Sequence, residues 1–365
     1  MENKKFNKRI IISVVVLLSF VFLFNYFIDP FDVFHVKNRF GYYKPFVDQN
    51  QRLSKIIELK LDKREINAIW VGSSRVGWSS NEEYETKVLK SNIKNLYING
   101  CSFYEALTMV KNAIKIHPEI NRVYFGIDFS MMGKNIEKND SLKPITSKNI
   151  LIKEEILPLV LSLDSLKNSF KTFNKNLKNK KKLKEEYGFE KQFNKRVYKA
   201  FKNSINQYYE EFYKNFEFDD KKIEDLKEFI NWCNNQNIEV KFFVTAMHGA
   251  ERVLIDNTEN YDSFYKFKEK LANIQPYYDF AIMDKYTTEK INPYIKCFND
   301  AVHVYPFLRK KITNKLFGLN EDFGYWVTKN NIKKHNQNDS KLYINYKINN
   351  PQIVEDVQIW ANNEK

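Results

Sequence analysis

The stretch Asn67-Ala68-Ile69-Trp70-Val71-Gly72-Ser73-Ser74-Arg75 decides the reading of this chain. Four consecutive apolar residues bounded by polar ones predict a short strand buried on both faces, as in a parallel sheet. The glycine that follows predicts a tight turn, and the serines fall at the strand's C-terminal tip. Outward from it the pattern repeats. Asn95–Ile98, Arg122–Phe125, Glu239–Val244 and Tyr278–Met283 read as further strands. Phe103–Ile116 and Lys221–Asn235 read as helices between them, the first opened by a capping box of Ser102 and Glu105. Strands separated by helix-length segments predict an α/β fold, a three-layer α/β/α parallel sheet.

Glycine sharpens the argument. The chain has only ten, and Gly72, Gly100, Gly126 and Gly249 lie at or just after the ends of predicted strands. Ligand sites in open α/β sheets form at that edge. The placement therefore predicts demand by a site, with turn chemistry as the plainer reading of each glycine.

The first 28 residues belong to no core. Lys4, Lys5, Lys8 and Arg9 precede Ile10 to Ile28, an apolar run broken only by Ser13, Ser19, Asn25 and Tyr26. Its roughly 28 Å as a helix nearly matches a hydrocarbon core. The basic flank predicts a cytoplasmic N-terminus and a single-pass membrane anchor, with the remaining chain extracytoplasmic, in the periplasm or at the cell surface. A cleaved signal peptide is the competing reading, and the absence of a small-x-small site before Asp29-Pro30 counts against it.

Predicted organisation is thus residues 1–28 as flank and anchor, 29–64 as a stem, 65–318 as the α/β domain and 319–365 as an extension. Residues 147–220 form a lysine-rich helical insertion over the strand ends, as a lid or partner surface, and the alternation in Leu342–Ile348 predicts a hairpin. A net charge of +14 reflects lysine spread along the chain, and the dense run Lys171–Lys191 reads as a solvated helical face. No aromatic-interleaved basic motif points to nucleic acid. Cys101, Cys233 and Cys297 have no paired or metal-ligand spacing, which makes a structural zinc unexpected; a Cys101–Cys297 disulfide stays open. No metal or organic cofactor is called for.

The chemistry-bearing residues are Ser74 and the tetrapeptide Asp300-Ala301-Val302-His303. A serine hydroxyl becomes a nucleophile when a base takes its proton and donors stabilise the oxyanion. His303 is the candidate base and Asp300 its orienting carboxylate, with the backbone N–H groups of Ser74 and Gly100 as oxyanion donors. Ser73 is the alternative nucleophile if the turn is shifted. Arg75 reads as an anchor of the helix start or a contact for an anionic substrate. His248 reads as a site-lining residue or an ordinary loop histidine. His35, His117 and His335 carry no such context, and Asp284 reads as structural.

These residues resemble the SGNH (GDSL-type) hydrolase superfamily. Gly72-Ser73-Ser74 is similar to its first block, Gly100 to its second-block glycine, and Asp300 with His303 to its last, Asp-x-x-His, in order over residues 65–318. One block departs. Where the family has Gly-x-Asn-Asp, whose asparagine donates to the oxyanion, this chain has Gly126-Ile127-Asp128-Phe129. An ionised carboxylate at Asp128 would repel an oxyanion unless it is protonated or turned toward another partner, which argues against a fast free-standing esterase. The resemblance is better to the membrane-anchored branch, the D-alanine-transfer proteins of teichoic acid synthesis and the O-acetylation proteins of surface polysaccharides. It implies an acyltransferase or esterase acting on a cell-envelope glycan or acylated polymer, with a membrane-bound acyl-exporting protein as partner. A catalytically weak binding or assembly protein, and a membrane-surface lipid esterase, are the alternatives.

Overall fold

The computed structural model describes residues 2–31, 34, 51–134, 136, 142–178 and 196–362. His35, Pro45 and the part of the lysine run after Lys178 lie outside the described residues. The chain divides into two compact units, Met1–Lys63 with Pro144–Lys191, and Arg64–Lys143 with Gln192–Lys365.

In chain order the first helices are α1 (Glu2–Ile28) and α2 (Gln51–Leu61). Then come β1 (Ala68–Val71), α3 (Ser74–Gly77), α4 (Glu82–Leu89), β2 (Ile93–Asn95), α5 (Phe103–Ile116) and β3 (Arg122–Ile127). The helices α6 (Leu157–Leu161), α7 (Leu163–Lys178), α8 (Arg196–Tyr208) and α9 (Asp220–Asn234) follow, then β4 (Glu239–Val244), α10 (Gly249–Asn257) and α11 (Tyr261–Ile274). Last are β5 (Tyr277–Asp279), α12 (Pro306–Leu316), β6 (Tyr325–Val327), α13 (Ile332–Asn349) and α14 (Pro351–Ala361).

The larger unit is built on a six-stranded sheet of order β2-β1-β3-β4-β5-β6. All neighbours are parallel except β6, which closes the edge antiparallel to β5. Within the larger unit, right-handed crossovers put α3 and α4 on one face and α5, α9 and α11 on the other. Side-chain alternation agrees. Trp70 of β1 packs against Tyr124 of β3, and Arg309 of α12 covers the Trp70 ring at 4.3 Å. Arg309 also bonds Glu85 of α4 at 3.1 Å, so α4 and α12 share that face. On the opposite face Phe125 packs against Phe103 of α5. Every residue of β1 is buried, as a central parallel strand requires.

Two of the glycines seat α3 on the sheet. A Cβ on Gly126 would lie 2.2 Å from the Val76 side chain, and one on Gly72, whose φ is +141°, 2.6 Å from it. Neither strand end tolerates a side chain because Val76 occupies that space. Gly249 in turn lies against the Tyr346 ring. The glycine pattern therefore reports helix packing at three of its four positions. Gly100 differs: it turns at φ +60° with open space where a Cβ would stand.

Several expectations need correction. The 147–220 insertion is divided: its first part belongs to the unit that contains α1, and its second to the α/β unit. Leu159 and Val160 of α6 pack with Ile57 of α2 and with Tyr26, whereas Phe201 of α8 packs on His248. Leu342–Ile348 is not a hairpin but part of α13. Its buried face is Ile332, His335, Asn336, Asp339, Tyr343 and Tyr346, at helical spacing, while Leu342, Ile344 and Ile348 are exposed. The alternation read from sequence was the outward side of a helix whose inward side is largely polar. All three cysteines are free and buried, so Cys101 and Cys297 are not bridged.

In the other unit, the stretch Lys4–Ile28 of α1 is long and apolar enough to cross a membrane. Its C-terminal end packs on α6 and α7, and the Asn25 side-chain amide donates to the Val160 carbonyl at 2.9 Å.

Candidate functional site

Strand order reverses between β1 and β3, and in open α/β sheets the crevice outside the C-terminal ends of those strands is where ligands bind. The loops after β1, β3, β4 and β5 bring Ser74, Asp128, Thr245 and His303 respectively to that edge.

Ser74 begins α3 and is half-buried. Its Oγ lies 2.8 Å from His303 Nε2, and His303 Nδ1 lies 2.8 Å from Asp300 Oδ2. With Nδ1–H donating to the carboxylate, Nε2 is left as the acceptor for the Ser74 hydroxyl. The three-residue separation of Asp300 from His303 has a local cause. Asp300 Oδ1 accepts the backbone N–H groups of Val302 and His303, at 2.9 and 2.8 Å. The other carboxylate oxygen is thereby turned to the imidazole of the same turn. Burial pushes the Asp300 carboxyl up, but the His303 bond and charge and the two N–H donors outweigh it. The net effect is a pKa below the usual aspartate value.

The loop carrying the pair is braced. Phe298 and Val304 form an antiparallel bridge, the Ala301 N–H donates to Ser204 Oγ at 3.1 Å, and the Ser79 hydroxyl donates to the Val304 carbonyl at 2.9 Å. The Trp78 indole, 40% exposed, stacks on His303 with centroids 4.4 Å apart and an interplanar angle of 23°.

Ser73, the alternative nucleophile, faces away from the base. It is buried, caps α3 by accepting the Arg75 N–H, and donates its hydroxyl to Asp128. Asp128 also accepts the Thr245 hydroxyl at 2.6 Å. Its carboxylate is thus an acceptor held inside the fold, and its placement as an oxyanion-hole group is corrected: it braces the Ser73 turn.

Arg75 is likewise withdrawn from the surface. Its guanidinium forks onto Glu251, with Nη1 2.8 Å from Oε2 and Nη2 on Oε1, and its Nε is 3.4 Å from the Tyr208 hydroxyl. Burial works against the charge, but Glu251, Tyr208 and Asp128 overcome it and hold Arg75 well above its ordinary value. A side chain so enclosed anchors the helix start and does not receive a substrate.

His248 is not a site-lining contact either. It caps α10 through Nδ1, which accepts the Ala250 N–H at 3.1 Å, and its Nε2 donates to the Glu289 carbonyl at 2.7 Å. Its backbone N–H donates to the Ala301 carbonyl at 3.0 Å, so it supports the loop that carries Asp300 and His303. Gly100 is exposed at the tip of the neighbouring loop, tied to β1 by the Ile98 N–H on the Gly72 carbonyl at 3.1 Å.

Sequence reasoning missed Thr245, Glu251 and Trp78 as parts of this assembly. Trp78 alone left a local signal, standing one helical turn after Ser74. His335 pairs with Asp279 at 2.8 Å in the α13 packing, and Asp284 accepts the turn N–H groups of Tyr286 and Thr287. Among the described residues no group of three or more His, Cys, Asp or Glu side chains is gathered to hold a metal ion.

Compared with protein-family models, with curated proteins and with solved structures, the chain matches none.

Proposed function

We propose that this chain is a membrane-anchored, SGNH-like acyltransferase or esterase that acts on a cell-envelope glycan through Ser74, His303 and Asp300. The observation that carries the reading is the unbroken hydrogen-bond line from Ser74 Oγ through His303 to Asp300 at the strand-order reversal. His303 Nε2 takes the hydroxyl proton as Ser74 Oγ attacks the acyl carbonyl carbon. The tetrahedral oxyanion collapses to an acyl-Ser74 ester, and His303 returns the proton to the departing alcohol oxygen. A glycan hydroxyl, or water, then attacks the ester by the reverse sequence. Asp300 keeps the imidazole in the required tautomer and supports its positive form.

The Ser74 and Gly100 N–H groups are the oxyanion donors in this scheme, with no side-chain amide beside them. Losing one such donor costs roughly a hundredfold or more in rate. That fits transfer of an acyl group, delivered by a membrane-bound exporter, to a positioned acceptor better than fast hydrolysis of esters in water. The basic flank before α1 favours an extracytoplasmic α/β unit. The want of a side-chain amide at the oxyanion favours a second reading, a binding or assembly protein of polysaccharide modification with little turnover.

The test is a fluorophosphonate probe on the full chain in detergent, followed by intact mass. A single adduct on the wild type, absent from Ser74→Ala and His303→Ala, is the expected result. A folded wild-type protein that takes no adduct would move the assignment to the binding role.

A further inference from the structure

Helix α7 is polar where it is buried and carries large apolar side chains, among polar ones, where it is exposed. Ser165, Asn168, Ser169, Thr172 and Asn176 are buried, and their spacing sets them on one helical face. Leu163, Phe170 and Leu177, seven residues apart, are 84%, 49% and 55% exposed. A helix on the surface of a water-soluble fold shows the reverse. Three large apolar side chains in one outward stripe are stable where the medium itself is apolar. A buried face of small hydroxyl and amide side chains is how helices pack on protein in such a medium.

The second observation is depth. The Phe24 ring of α1 lies 4.9 Å from that of Phe170 and 6.1 Å from that of Phe173. Phe24 stands four residues, about 6 Å along the axis, inside the C-terminal end of the apolar stretch. Where α1 crosses a bilayer, the part of α7 that touches Phe24 lies just below the headgroups. The Asn25 amide, one residue on, is met by the Val160 carbonyl, as a polar group at that depth requires.

Charge gives the third. Lys167 is exposed between Leu163 and Phe170 and Lys171 is exposed on the flank, and their long stems can reach out to phosphate while the apolar side chains face acyl chains.

From these we infer that α7 is an interfacial helix. It lies in the leaflet that the C-terminal end of α1 enters, with Leu163, Phe170 and Leu177 against acyl chains and the two lysines at anionic headgroups. The occupant of the stripe is lipid rather than a partner protein because Phe170 adjoins Phe24 of α1, the apolar span whose Phe20, Leu23 and Phe27 are themselves exposed. The inference rests on the reading of α1 as a membrane-spanning anchor and is independent of the Ser74 chemistry.

The experiment uses the full chain in phosphatidylcholine vesicles containing phosphatidylglycerol, with Cys101, Cys233 and Cys297 replaced by alanine. Nitroxide labels are placed singly through Leu163→Cys, Phe170→Cys, Leu177→Cys, Lys171→Cys and, in α1, Leu17→Cys. Collision with oxygen and with a water-soluble nickel chelate is then measured. The expected result is a several-fold higher oxygen-to-nickel ratio at 163, 170 and 177 than at 171, close to that at 17. Water exposure at 163, 170 and 177 with residue 17 in lipid overturns the inference while leaving the anchor intact. Immobile labels reached by neither agent mean that protein covers the stripe, and also overturn it. Water exposure at 17 removes the anchor and the inference together. Should the cysteine replacements unfold the chain, Phe170→Trp in the natural background serves, with brominated lipid expected to quench the added fluorescence.

Discussion

The Ser73 hydroxyl donates to Asp128, while the hydroxyl of its neighbour Ser74 faces His303 at 2.8 Å. Adjacent serines thus point to opposite sides of one turn, one into the fold and one to the open edge. Ser73 also caps α3 through the Arg75 N–H, so the acceptor interior holds the turn from which Ser74 projects. Asp128, expected near the oxyanion from the SGNH resemblance, is used on the inward side.

Ser73→Ala should keep the Ser74 adduct and lose stability. Removing a serine cap costs about 1 kcal/mol, and leaving Asp128 short of a donor in the interior adds roughly 1–3 kcal/mol. Urea denaturation beside probe labelling checks this. Loss of the adduct in a folded Ser73→Ala protein would contradict the division of labour.

Asp128→Asn tests which way that side chain works. An amide reaching the oxyanion would raise the acylation rate roughly a hundredfold. Because the side chain faces Ser73 and Thr245, the expected change in rate is small. Stopped-time probe labelling gives the rate constant, and a large gain would return Asp128 to the oxyanion hole.

Trp78→Leu should slow acylation without removing it. The indole lies flat on the imidazole that becomes positive during attack, an arrangement worth about 0.5–2 kcal/mol. That corresponds to a rate loss of roughly two- to thirtyfold. Trp78→Phe should recover most of it, which a role in packing an apolar acyl group would share only for apolar substrates. Comparing short and long acyl esters separates the two.

The legibility of this fold follows the range of the interactions involved. Glu239–Val244 and Phe103–Ile116 match their elements because burial and capping there are written in neighbouring residues. The second strand is Ile93–Asn95 rather than Asn95–Ile98, yet Leu96 and Ile98 continue bonding to the Trp70 and Gly72 carbonyls at 2.9 and 3.1 Å. The apolar run was therefore read as strand while the chain was already leaving the sheet. Tyr278–Met283 shortens to Tyr277–Asp279, where Asp279 meets Lys268 at 2.7 Å. The antiparallel β6 carries only three residues and left no signal. Asp300 and His303 were legible because their geometry is made within one turn. The Thr245 and Glu251 partners of the Ser73–Arg75 turn were not, since nothing local marks a contact made across the sheet.

Arg75→Ala should destabilise the α/β unit strongly. It strands the Glu251 carboxylate, which also accepts the Tyr213 hydroxyl at 2.9 Å, in a fully buried place. Breaking a buried pair from one side costs about 3–5 kcal/mol. Arg75→Lys keeps the charge but loses the fork, and should fall between. An unfolding midpoint unchanged in Arg75→Ala would mean that the guanidinium is free for a substrate after all.

Acid should weaken the protein through His248. Burial lowers its pKa from 6.5 to about 4, with the Glu289 carbonyl opposing. Its Nδ1 is occupied as an acceptor of the Ala250 N–H, so a second proton would break the cap of α10. The folded value lies below the unfolded one, so the unfolded chain binds the proton first. Stability is complete above about pH 6.5 and declines as pH falls toward 4, by roughly 3 kcal/mol in all. His248→Asn can still cap the helix but has nothing to titrate. Its stability should be lower than wild type at pH 7, from lost packing on Phe201 and Phe298, and should fall less steeply between pH 6.5 and 4. Urea denaturation at several pH values measures both slopes. Equal slopes would show that His248 is already charged in the folded protein, or that water reaches it.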